Sequence, residues 1–232
     1  MTIFSIINST AVLPTQTMEN ATITIEDGVI IDIAENGPAT ERYVNAEGAI
    51  CMPGVIDSHS DGFEMEPRPR PSVRLPLDFS IQSFEAKVRA AGVTTLFHGI
   101  GFENDGNRTV ESANAYVDII HEYSSSPTVM MNHRVLYRLD ARDADGFNAL
   151  CARIESDRQV DAKPLVSFED HTPGQGQYRD RTYLENWIMG SRNMTREEAV
   201  AHVDQILIER EAVRHNKELA LPWLTEQAAL GN

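Results

Sequence analysis

The alternation of apolar and polar positions divides the chain near residue 53. Before it the apolar residues come in short, β-branched runs, "FSIINSTAVLP" and "ATITIEDGVIIDIA", which suit a pleated, half-buried surface. Asp27-Gly28 lies between the alternations "TITIE" and "VIIDI", a pattern that predicts a tight hairpin. Gly37-Pro38 punctuates the unit, and "YVNAEGAICMPG" leads towards the next strand. Residues 1–53 therefore read as a small β-sandwich-like domain.

After Pro53 the period changes. "GVIDSH", "VTTLFHG", "PTVMMNHRVLYRLD" and "AKPLVSFEDH" read as strands. "DFSIQSFEAKVRAAG", "NRTVESANAYVDIIHEYSS" and "ADGFNALCARIESD" have helical spacing, and Gly92 stops the first of them. This β-α-β-α-β-α-β alternation implies a parallel sheet with helical crossovers. The remainder reads as helical, with a capping box at Thr195 and Glu198 and Pro222 as a break or kink. The fold class expected is α/β: a partial TIM-like (β/α) barrel over residues 54–232, ending in long helices, behind the small β-domain.

Composition narrows the function classes. The net charge is −15, so the general surface is unsuited to nucleic acid, which needs clustered Lys and Arg. No apolar run reaches the length of a membrane span, and the start has no basic residue ahead of its apolar part, so it reads as a strand and not a signal peptide. Two well-separated cysteines, Cys51 and Cys151, imply a reduced, cytoplasmic setting. Only three of the basic residues are lysines, Lys87, Lys163 and Lys217. The rest are arginines, which suit bidentate recognition of phosphate or carboxylate.

The chemistry collects at the strand ends. In a β/α barrel, reactive groups gather at the C-terminal ends of the strands. Here those ends carry His59 and Asp61, His98, Asp140, and Asp170-His171. Imidazole with carboxylate is a donor set for a borderline divalent metal such as zinc, which makes hydroxide available near neutral pH. The other reading of His59 and Asp61 is a hydrogen-bonded pair capping a strand; of His171, an ordinary loop histidine; of Asp140, the first residue of a loop. His98 reads better as a satisfied core residue, and Glu64 and Glu66 as solvated loop acids, although Glu64 could orient a ligand.

"PGVIDSHSD" resembles the opening metal motif of the amidohydrolase superfamily in a His-x-Asp form. "LVSFEDHTPGQGQYRD", "PRPRPSVRLP" and "AAGVTTLFHG" are similar to segments of its phosphonate-metabolism branch, whose members cleave a ribose methylphosphonate triphosphate to the monophosphate and pyrophosphate. The resemblance implies a hydrolase with a divalent metal, zinc before manganese or iron. His59, Asp61 and His171 would be ligands, and Asp140, where the family usually has Glu, a bridging or flanking carboxylate. It also implies a phosphorylated small-molecule substrate held by Arg68, Arg70 and Arg74 on a proline-stiffened loop, and by Gln175, Gln177 and Arg179. The other reading of that loop is a rigid surface turn.

Departures from the pattern are Glu66 in place of His, Gly62 in place of Asn, and Glu169 in place of an apolar residue. After Pro53 there is room for four β-α strands, whereas a complete barrel has eight and about 250 residues. The chain thus reads as the N-terminal part of such an enzyme, with little hydrolytic activity alone and uncovered sheet edges that predict a homo-oligomer. Two alternatives stand beside this reading. One is an amidohydrolase acting on a carbon–nitrogen bond, a cyclic amide hydrolase or deaminase; no lysine at a predicted strand end supports it. The other is a non-catalytic binding or assembly remnant.

Overall fold

A computed structural model describes residues 2–104, 108–159 and 163–229. The chain divides into two compact units, Met1–Val55 and Ile56–Asn232.

The first unit is one sheet. Strands β1 (Ile3–Val12), β2 (Thr17–Glu26), β3 (Val29–Glu35) and β4 (Tyr43–Asn45) lie in the order β3-β2-β1-β4, and β5 (Ile50–Cys51) pairs with β1. β2 and β3 form the expected hairpin, closed by Asp27 and Gly28, whose φ values are 47° and 83°. Both central residues of a type I′ turn need positive φ, and Asp-Gly supplies them at little cost. Ala11, Ala21 and Ile23 form the small core, with Ile6, Met18, Ile25, Ile33 and Cys51 against it.

The second unit alternates strand and helix. The elements are β6 (Val55–Ser60), α1 (Gly62–Met65), α2 (Leu77–Ala90), β7 (Val93–Phe102), α3 (Val110–Ser124), β8 (Asn132–Asp140), α4 (Ala144–Asp157), β9 (Leu165–Glu169), α5 (Arg181–Arg192), α6 (Arg196–Ala212) and α7 (Asn216–Ala229). The strands lie in chain order, β6-β7-β8-β9, with β7–β8 and β8–β9 parallel. This is the partial (β/α) barrel expected. α2 ends one residue before Gly92, which has φ of 83°.

Side chains alternate across a strand, and that fixes what each face carries. Ile100, Phe102, Tyr137 and Leu139 are buried, and Val166 and Phe168 pack beside them against Tyr116, Val117 and Ile120 of α3 and Leu150 and Ile154 of α4. The residues between them, Gly99, Gly101, Arg138, Asp140, Ser167 and Glu169, belong to the opposite face. Register aligns them: Gly101 with Arg138, Arg138 with Ser167, and Asp140 with Glu169.

The helical tail differs from expectation in two places. α5 precedes the Thr195 capping box, which caps α6 as expected: Glu198 N donates to Thr195 Oγ1, and Thr195 N donates to Glu198 Oε2. Pro222 lies inside α7, and the break falls earlier, in a turn at 213–215. Proline removes one N–H from the helix ladder, and here the helix runs through it.

Candidate active site

β6 delivers His59, and Asp61 follows at its end. His59 Nε2 lies 3.3 Å from Asp61 Oδ1, and both side chains are about half exposed. β8 delivers Arg138, whose guanidinium bridges two carboxylates. Its Nη1 donates to Asp61 Oδ1 at 3.0 Å, its Nη2 to Glu169 Oε2 at 2.8 Å and its Nε to Glu169 Oε1 at 3.0 Å. Ser167 Oγ donates to the same Glu169 Oε1 at 2.8 Å, and His171 Nε2 stands 3.4 Å from Glu169 Oε2. Burial would raise the Glu169 pKa, but Arg138 and Ser167 outweigh it and hold the group below the usual carboxylate range. Burial opposes the charge on Arg138, and the facing carboxylates more than restore it.

Gly99 makes this approach possible. A Cβ there would lie 2.7 Å from Asp61 Oδ1, 3.0 Å from Arg138 Cδ and 3.3 Å from His59 Cδ2. Any side chain on β7 at this point would push the cluster apart.

A second pair of carboxylates flanks the first. Glu64 is buried; its Oε1 accepts from Gly101 N at 3.0 Å and its Oε2 from Arg108 Nε at 2.8 Å. Arg108 Nη1 also donates to Glu103 at 2.8 Å. Neither loop acid is solvated as the sequence suggested, since Glu66 accepts from Lys87 at 2.6 Å and from Ser83 at 2.8 Å.

Asp140 and Asp170 face α6. Arg210 Nη1 donates to Asp140 Oδ2 at 2.7 Å and its Nη2 to Asp170 Oδ1 at 3.1 Å. Burial would raise Asp170, but Thr172, whose N and Oγ1 both donate to it, the neighbouring Gln175 amide and Arg210 hold it well below the usual carboxylate range. Gln175 thus stands beside Asp170, although its Nε2 makes no hydrogen bond of good geometry.

His98 lies on the other face of β7, fully buried against Phe63 and Phe84. Its Nε2 is 2.8 Å from His133 Nδ1, and His133 Nε2 is 3.0 Å from Glu85 Oε2. Glu85 also accepts from Tyr123 Oη and from Met130 N. An ionised Glu85 can only accept, so His133 carries its proton on Nε2, His98 donates from Nε2, and His98 Nδ1 is an acceptor. That Nδ1 is the atom left without a partner. Burial, with His133 alongside, pushes the His98 pKa down to about 3.

The expected ligands are therefore brought together in part. His59 with Asp61, and His171 beside Glu169, sit at the two ends of the Arg138 bridge; Asp140 is engaged by Arg210. A catalytic metal needs its ligands at about 2.0–2.2 Å from one point, and among the described residues no group of three His, Cys, Asp or Glu side chains could hold one. In this arrangement the donor set does not fit a metal, because a guanidinium takes up the oxygens a metal would use. The arginine loop lies elsewhere: Arg68 and Arg74 line a cavity of about 540 Å³ with Pro67, Thr109, Ser112 and Tyr116, to which none of the expected ligands contributes. Arg70 and Arg179 are exposed. The side chain of Gln177 lies outside the described residues.

Sequence reasoning missed Arg138, Arg108, Arg210 and Arg142, which donates to Arg210 O at 2.6 Å beside Asp170, and it read Glu169 as a departure only. The available signal was spacing. His59 and Asp61, Arg138 and Asp140, and Ser167 and Glu169 are all two apart, which puts each pair on one face of its strand.

No model of a protein family matches the chain. It is similar to the alpha-D-ribose 1-methylphosphonate 5-triphosphate diphosphatase of Escherichia coli (strain K12), 26% identical over 192 residues, which is 82% of this chain and 50% of that protein. The chain thus spans about half the length of that relative. Among solved structures it resembles a triazine hydrolase variant, with a TM-score of 0.51 and 14% identity over 72% of this chain and 45% of the other. It also matches an amidohydrolase, with a TM-score of 0.45 and 15% identity over 75% of this chain and 57% of the other.

Proposed function

We propose that the chain is part of an amidohydrolase-superfamily hydrolase of phosphonate catabolism, one that cleaves a ribose methylphosphonate triphosphate to the monophosphate and pyrophosphate. The observation that carries this reading is the similarity to the diphosphatase across 82% of the chain. The site chemistry is compatible with it. Arg70, Arg74 and Arg179 are fork-shaped donors matched to phosphate oxygens, and Arg68 and Arg74 line one cavity. His59 and His171 each carry an imidazole nitrogen at the edge of the cluster, which can take a proton from an attacking water.

The reading calls for a divalent metal, zinc before manganese or iron, on His59, Asp61, Asp140 and His171. In the arrangement described Asp61 pairs with Arg138 and Asp140 with Arg210, so metal binding would require these residues to regroup. A reduced cytoplasm is the proposed setting, consistent with the free thiols of Cys51 and Cys151. A homo-oligomer is the proposed assembly.

The test is product analysis with the purified chain, with and without added zinc or manganese. Pyrophosphate released from the ribose methylphosphonate triphosphate would support the reading. Ring opening of a cyclic amide or ammonia release, without pyrophosphate, would move the chain to the carbon–nitrogen alternative. Substrate binding without turnover under every condition would favour a non-catalytic role.

A further inference from the structure

The loop between α1 and α2 is a preformed wall. Pro67, Pro69, Pro71 and Pro76 restrict its backbone. Leu75 N donates to Pro67 O at 2.9 Å and closes it on itself. Glu66, at its root, is held to α2 by Lys87 and Ser83. The cavity of about 540 Å³ that this loop lines is shared with the start of α3 and lies within the size range of small-molecule sites. Much of its lining is apolar, including Leu75, Pro76, Ala115 and Tyr116. Its charged lining is the guanidiniums of Arg68 and Arg74 against the carboxylate of Glu111. Arg74 is exposed, and among the described residues it makes no ion pair. The amino end of α3 supplies little to an anion, because Val110 N donates to Asn104 Oδ1, Ser112 N to Thr109 Oγ1 and Ala113 N to Thr109 O. The arginines are therefore the anion donors of this cavity, and two cations against one acid leave a single positive charge in excess.

A triphosphate arm carries several negative charges. A methylphosphonate ester carries a single one, next to an apolar methyl group. We infer that the cavity takes the phosphonate ester end of the substrate, with Arg68 and Arg74 on its unesterified oxygens and its carbons on the apolar lining, and leaves the triphosphate arm outside. Guanidinium forks suit such paired oxygens, and a wall ordered in advance lowers the cost of binding. The inference rests on the proposed reaction for the identity of the substrate, and on the cavity for its charge and polarity. It also divides the arginines expected to hold phosphate, because Arg70 and Arg179 do not line the cavity.

The test is calorimetric titration of phenyl methylphosphonate, a singly charged ester, and of tripolyphosphate into the purified chain without added metal. Wild type is expected to bind the ester more tightly than tripolyphosphate. Arg74→Gln should weaken ester binding about tenfold or more, the scale of a charge-assisted hydrogen bond. Ala115→Trp fills the cavity from an exposed helix position without changing its charge; it should abolish ester binding, and it decides the matter if Arg74→Gln does not fold. Glu111→Gln should raise the affinity for tripolyphosphate and narrow the preference, whereas Arg179→Gln should change neither affinity. No ester binding by wild type, a wild-type preference for tripolyphosphate, or ester binding left untouched by either Arg74→Gln or Ala115→Trp would overturn the inference. Pyrophosphate release together with ester binding that ignores the cavity would sink the inference and keep the proposed reaction. Cavity-dependent ester binding with no pyrophosphate release would do the reverse.

Discussion

The two faces of β7 and β8 are built from alternate residues of the same strands, yet they solve the problem of polar groups in opposite ways. On the helix-facing side, His98 and His133 are enclosed among aromatic rings and linked in one chain to Glu85 and Tyr123. One acceptor, His98 Nδ1, is left over. On the other side, Arg138 is itself buried and joins Glu169, largely enclosed, to Asp61, which is about half exposed. The first face fixes protons and positions. The second joins opposite charges delivered by three strands. Buried polar chains are costly to leave half-made, whereas ion pairs reached by solvent contribute little to stability. A hydrogen-bonded chain and an ion-pair network are thereby placed back to back across one sheet.

The sharpest way to break this contrast is Glu85→Ala. It strips partners at once from His133, Tyr123 and the Met130 N–H. Each buried group left unpaired costs about 1–3 kcal/mol, so urea denaturation should show a loss of about 3 kcal/mol or more. A loss below about 1 kcal/mol would mean that this face is not the rigid one.

Acid should act first on the same face. Folding holds the pKa of both His98 and His133 below the ordinary histidine value of 6.5, His98 at about 3. As pH falls below 6.5 the unfolded chain takes up protons that the folded chain refuses, so stability declines with falling pH. His98 alone should account for about 2 kcal/mol of loss by pH 5. The lowered carboxylates Glu85, Glu169 and Asp170 add their losses only below their own unfolded values, near pH 4. His98→Asn keeps a donor for His133 and does not titrate, so its stability curve between pH 6.5 and 5 should be flatter. An unchanged slope would remove His98 from the account.

The helix-facing side was largely legible from the sequence because it follows local rules. The alternation of strands and helices was read from the period, Gly92 ended α2, and His98 was read as a core residue. The Arg138 cluster was not legible. Its partners are 77 and 31 residues away along the chain, and period two says which face a side chain occupies without saying what meets it there. Arg210 was hidden for the same reason, reaching Asp140 from 70 residues on. Pro222 does not break the helix: α7 runs through it, and the break falls in the turn at 213–215.

On the charged face a smaller effect is expected from Glu169→Gln. The amide keeps one acceptor for Arg138 Nε or Nη2, and Asp61 still holds Nη1. About 1 kcal/mol of stability should be lost, and added salt should narrow the gap between variant and wild type because part of the interaction is solvent-screened. A loss as large as that of Glu85→Ala would erase the distinction between the faces.

His59→Ala should be the mildest of the set. The imidazole is about half exposed and its nearest carboxylate is 3.3 Å away, beyond an ideal hydrogen bond, so stability should change by less than about 0.5 kcal/mol. Its effect belongs to function. If His59 serves as ligand or proton acceptor, the variant should fold with wild-type stability while metal binding or turnover collapses. A variant that instead unfolds easily would make His59 a strand cap, the plainer of its two readings, and would return the end of β6 to structure.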